Sequence, residues 1–181
     1  MTKVRNSRCW DVSREVSFDE ISSWCLRARE VDRLIVAVRP YIDRRDRVEF
    51  DARIEESVFR VFGSSVIRST YATAWPGTEL IEHAGRVYII KFDSDLARQI
   101  SKEMNRLSGW VQRNDPPLPE DLCLYREGEA WPVLVSVTHD GDAWLYDDDP
   151  DATFVRTPTI PLPSDLIPPA PSFIVESRRK R

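Results

Sequence analysis

The chain has 181 residues, with 26 Lys and Arg against 30 Asp and Glu, a formal charge of −4 and 41% hydrophobic residues. That length suits one domain able to bury a core, and a 31% charged fraction beside this apolar content excludes wholesale disorder. The longest aliphatic run, Leu34 to Val38, is far shorter than the roughly 20 residues that span a bilayer, and Met1 to Val12 hold no apolar signal-peptide core.

Along the chain, Ser17 and Glu20 have the spacing of a capping box, which opens a helix. Ile21, Trp24, Cys25, Ala28, Val31, Ile35 and Val38 then recur at helical spacing, and Pro40 ends the pattern. A second helix is predicted from near Asp51, burying Ile54, Val58, Val61 and Phe62 and stopping at Gly63. Val66 to Ala74 reads as a strand closed by the Pro76-Gly77 turn pair, and Val87 to Phe92 as another. A third helix follows Asp93 or Ser94, with Leu96, Ile100, Met104, Leu107 and Val111 as its stripe. Leu122 to Glu127 is a further strand. Val133 to His139 and Asp142 to Asp147 flank Asp140-Gly141, a favoured type I′ hairpin dipeptide, which would set Val137 opposite Trp144 and Val135 opposite Tyr146.

The expected class is therefore α+β, with about five mostly antiparallel strands and helices packed on one face. Residues 1–156 are expected to form a single domain and residues 157–181 a proline-rich arm with a basic end. Pro158, Pro161, Pro163, Pro168, Pro169 and Pro171 exclude a helix or an inner strand there and favour extended chain. Phe173-Ile174-Val175 gives the arm something to pack, on its own domain or on a partner.

The small net charge conceals a polar layout. Residues 1–60 carry 13 basic and 12 acidic side chains, whereas residues 111–156 carry 3 and 11, and Arg178 to Arg181 add four positive charges. The acidic excess gathers in the hairpin: His139, Asp140 and Asp142 at its turn, and Asp147, Asp148, Asp149 and Asp151 at its far end. Carboxylates beside a histidine can hold a metal, but five residues of strand separate the two clusters by about 17 Å, and neither has a calcium-loop pattern. No metal and no cofactor are expected.

Cys9, Cys25 and Cys123 are odd in number and form no C-x-x-C pair, which argues against a disulfide framework or a zinc knuckle and favours buried thiols. There is no G-x-S-x-G, P-loop or G-x-G-x-x-G, and six glycines leave little material for a phosphate cradle. The arginines between Arg39 and Arg60 are interleaved with acids and read as a solvated helical surface, so nucleic acid is not an expected partner. Six tryptophans are many for this length. Trp75 and Trp131 each precede a proline, as rings that cap a core edge or anchor a partner.

Trp75-Pro76-Gly77-Thr78, the segment Pro119 to Arg126 (P-E-D-L-C-L-Y-R) and Val135 to Leu145 together carry a resemblance. Over about residues 65–147 the chain resembles a family of uncharacterised bacterial proteins with a W-P-G-T turn, a P-E-D-L-C-[LF]-x-R segment, and two strands joined by an acidic turn. The resemblance implies a bacterial cytoplasmic setting and assigns no catalytic residue. The resulting expectation is a non-enzymatic, immunity- or adaptor-like module. It would bind a basic protein surface through an acidic sheet face, with Trp75, Asp140, Asp142, Asp147, Asp148 and Asp149 as contacts. The alternative is a small hydrolase or transferase whose site assembles from scattered Asp, Glu, His and Cys, for example Cys123 with His83 or His139.

Overall fold

The computed structural model describes residues 9–13, 15–38, 47–80, 84–106, 121–126, 128–129, 131–137, 140–147 and 150–159, with backbone alone at 47–51, 79 and 155–159. In chain order the elements are β1 (Cys9–Val12), α1 (Phe18–Arg29), β2 (Arg33–Val38), α2 (Arg47–Phe62), a 3₁₀ turn (Gly63–Ser65), β3 (Val66–Ala72), β4 (Ala74–Trp75), β5 (Thr78–Glu79), β6 (Gly85–Lys91), α3 (Ser94–Glu103), β7 (Asp121–Tyr125), β8 (Leu134–Val137), β9 (Asp142–Tyr146) and β10 (Val155–Thr159).

Eight strands form one sheet in the order β10-β1-β9-β8-β7-β2-β6-β3, and every neighbouring pair is antiparallel. β4 and β5 make a separate two-stranded hairpin. The α+β class with a mostly antiparallel sheet is as expected, but the strand count is larger than about five. β1, β2 and β10 account for the difference.

α1 begins as its capping box dictates: Ser17 Oγ accepts from the Glu20 amide at 3.1 Å. It does not run on to Pro40. Glu30 takes a left-handed conformation (φ 52°), its amide closes on the Cys25 carbonyl, and the chain re-enters as β2. β2 pairs with β6 on one side and β7 on the other, and five of its six residues are buried. A strand covered on both faces shows a continuous apolar run with no alternation, so its residues also fit a helical stripe.

The sheet has two unlike faces. Leu34, Val36, Tyr88, Ile90, Leu122 and Leu124 point to the first, where they meet Phe18, Ile21 and Cys25 of α1, Val58 and Phe62 of α2, and Leu96 and Ile100 of α3. Each of these large side chains contributes about 1.5–3 kcal/mol on burial. α3 is held at its start by Asp93, whose Oδ1 accepts from the Asp95 and Leu96 amides at 3.1 and 3.0 Å. It ends at Glu103, so the predicted Leu107 and Val111 lie outside both the helix and the described residues.

Ile35, Ala37, Val87, Ile89, Cys123, Tyr125, Val135 and Val137 point to the second face, where Trp75 joins them and no described helix does. The β8–β9 register differs from expectation. Val137 lies opposite Asp142 and Val135 opposite Trp144, so the connection is four residues long, 138–141. Gly141 takes positive φ there (69°) but Asp140 does not, which rules out the type I′ geometry at this pair. The slip is by two residues, so each side chain keeps its face.

Candidate functional site

The β4–β5 hairpin is the W-P-G-T segment. Trp75 and Thr78 pair across Pro76 and Gly77, and the φ of 81° at Gly77 is what a type II turn needs at its second central position. The hairpin folds over the second face of the sheet. Gly77 approaches Val135, Val137 and Trp144 so closely that a Cβ would collide with Val137. A Cβ on Gly85 would come within 2.7 Å of the Trp75 ring and 2.8 Å of the Val38 carbonyl, so the indole occupies the space that glycine leaves.

A buried carboxylate pins this hairpin. Asp121 opens β7 opposite Ala37 and is 1% exposed. Its Oδ2 accepts from Trp75 Nε1 at 2.7 Å and from Thr78 Oγ1 at 2.8 Å. Both donors are themselves buried, so the three groups satisfy one another where water cannot. The W-P-G-T and P-E-D-L-C segments, 43 to 46 residues apart in sequence, thus meet as two halves of one latch.

This placement corrects the expectation for Trp75. The ring is 1% exposed, and its one polar atom is committed to Asp121, so it holds the surface in shape from below instead of projecting from it. Asp140 is exposed at the β8–β9 turn, and Asp142 is half-buried at the start of β9. Two residues on, half-buried Trp144 lies against the hairpin at Gly77, with Asp11 of β1 opposite it.

Asp147 has a different role from the one expected. It is bonded to Arg29 Nε, its carbonyl accepts from Trp10 Nε1 at 2.9 Å, and its side chain is only 11% exposed. The Arg29 guanidinium also lies 4.5 Å over the Trp24 ring, and Trp24 Nε1 donates to Asp151 Oδ1 at 3.2 Å. Asp147 and Asp151 therefore tie the end of the hairpin to α1, a tertiary demand that sequence spacing does not reveal. Asp148, Asp149, His139 and His83 lie outside the described residues. The acidic face expected from the charge count reduces, among described expected contacts, to Asp140 and Asp142.

The three cysteines are buried, and none is joined in a disulfide. Burial pushes the Cys25 thiol up to about 12, against a smaller opposing pull from Arg29. Burial, reinforced by Asp121, likewise drives Cys123 well above its ordinary range. Both are thiols at neutral pH, and the thiolate is the nucleophile, so neither is poised for covalent chemistry. Among the described residues no three His, Cys, Asp or Glu side chains gather as a metal site, and no helix is long and apolar enough to cross a membrane. Compared with protein-family models, curated proteins and solved structures, the chain matches none of them. The family resemblance therefore rests on the motif residues alone.

Proposed function

We propose that the protein is a non-enzymatic binding module for a basic surface of another protein, working in a bacterial cytoplasm. Contact is made where the latched hairpin meets β9. The observation that supports this reading is the seating of Gly77 on Val135, Val137 and Trp144, with Asp142 at the start of the strand that carries Trp144 and Asp140 in the turn before it. The turn, the half-buried indole and the two carboxylates form one surface, held by Asp121 from beneath. Two carboxylates steer a cationic partner, and a tryptophan with an apolar body and a polar tip anchors it.

Affinity capture from bacterial lysate at two salt concentrations, followed by cross-linking of the captured protein, tests the reading. Wild type should hold a basic protein cross-linked near β9, and Asp140→Lys/Asp142→Lys should weaken capture about tenfold or more at unchanged stability. Capture indifferent to both salt and charge reversal would rule the reading out. The enzymatic alternative receives no comparable support, because the buried Cys123 and Cys25 are held as neutral thiols.

A further inference from the structure

The two end strands of the sheet are unlike. β10 is five residues long and carries Arg156 and Pro158, a charge and a missing donor of the kind that blunts an edge. β3 is seven residues long, holds no proline, and has Arg68 as its one charged residue. No described strand lies beyond it, and an edge of this kind is a template for another strand. The large hydrophobic side chains exposed among the described residues gather here: Ile67 and Tyr71 on β3, at 55% and 58%, and Phe59 on α2, at 56%. Phe59 overhangs this edge. It shares a helix side with Glu55, whose carboxylate bonds Arg86 at 2.5 Å, and the Arg86 guanidinium lies 5.9 Å from the Tyr71 ring. The other side of α2 meets α3, where Gln99 donates to the Arg60 carbonyl at 3.3 Å.

We propose that β3 is the interface of a homodimer, in which two copies join edge to edge as antiparallel strands about a two-fold axis at Thr70. The strand's own sequence selects a second copy and this register. Pairing with β6 is irregular between Val66 and Arg68, so the regular template is 68–72, and Thr70 is its centre. With the axis there, Thr70 meets its own copy, Ser69 meets Tyr71 and Arg68 meets Ala72. A Thr–Thr pair is a favourable cross-strand contact, and the two Tyr71 rings become diagonal neighbours about 7–8 Å apart. The two Arg68 side chains stay about 14 Å apart. An axis at Arg68 would set two guanidinium groups against each other, and one at Ser69 would draw the irregular step at Ile67 into the ladder. Glu55 and Arg86, the charged pair beside Tyr71, neutralise each other, so two copies of this surface meet without repulsion there. Phe59 of each copy extends the apolar contact on the same side. The axis runs perpendicular to the sheet, so both copies turn the second face the same way.

Sedimentation of the full chain from about 1 to 100 µM should show a monomer–dimer equilibrium. Phe59→Lys and Tyr71→Lys, both at exposed positions, should each weaken dimerisation at least about tenfold, with the urea midpoint unchanged. A cysteine on the axis reads the register. Thr70→Cys should give a disulfide-linked dimer on mild oxidation, whereas Ser64→Cys, exposed in the 3₁₀ turn, should not. The native cysteines are buried and do not compete. A monomer throughout that range, a dimer indifferent to both lysines, or cross-linking at Ser64→Cys as fast as at Thr70→Cys overturns the proposal. A monomer that captures a different protein, and loses it in Tyr71→Lys, would assign the edge to that protein's strand, with the same result.

Discussion

The two faces of the sheet are built on different physics. On the first, three helices lay apolar stripes against Leu34, Val36, Ile90 and Leu122, and the contribution of each residue follows the area it buries. On the second, a two-stranded hairpin is held at its edge by one carboxylate and two donors, in places where glycines leave room for it. The first face fails in proportion to the volume removed. The second fails through single atoms. The seating of the hairpin on this face therefore depends on three polar atoms as much as on the area it buries.

The largest effect is expected on the first face. Phe18→Ala removes a fully buried ring under α1 and should cost about 3–5 kcal/mol in urea unfolding. On the second face, Asp121→Ala should cost about 2–4 kcal/mol by stranding two buried donors, although it removes far less volume. A cost below about 0.5 kcal/mol would show that the latch is not energetically significant, and the contrast between the faces would collapse.

Gly85→Ala should cost about 1–3 kcal/mol, because its Cβ meets both the Trp75 ring and the Val38 carbonyl. Trp75 fluorescence should shift in that variant. Gly63→Ala, at positive φ but with nothing within 4 Å, should cost about 1–2 kcal/mol through backbone strain alone and leave the fluorescence unchanged.

Alkaline pH reaches both faces. The Cys25 thiol ionises near 9 when unfolded and near 12 when folded, so the folded state keeps its proton longer. The stability this provides is complete below about pH 9 and is lost as pH rises toward 12. Cys123 and Tyr125 are raised in the same direction by burial, so they add to the loss from the second face. Urea midpoints measured from pH 8 to 11 should fall, and Cys25→Ala should flatten the slope. The smallest stability effect belongs to Asp140→Lys/Asp142→Lys, within about 0.5 kcal/mol, since both lie at the rim of the sheet.

Sequence patterns were legible where the cause was local. The Ser17 cap, the Asp93 start of α3 and the Pro76-Gly77 turn each depend on atoms within a few residues, and each lies where spacing predicted. β2 escapes pattern reading because an apolar run buried on both faces has no period to detect. The β8–β9 register is not fixed locally, because Asp140-Gly141 admits more than one turn and the pairing of these strands with β7 and β1 selects one. The role of Asp147 is invisible to local spacing because its partner, Arg29, lies 118 residues away.

The sequence by itself determined the class, the starts of α1 and α3 and the segments rich in acid, proline and tryptophan, since these follow from composition and near-neighbour chemistry, whereas α2 starts at Arg47, ahead of the expected Asp51. Only the tertiary structure showed that W-P-G-T and P-E-D-L-C form one latch, that Trp75 is inside it, and that two of the aspartates are tied to α1. Those outcomes depend on which strands lie side by side, and strand order arises from long-range pairing that no local pattern encodes.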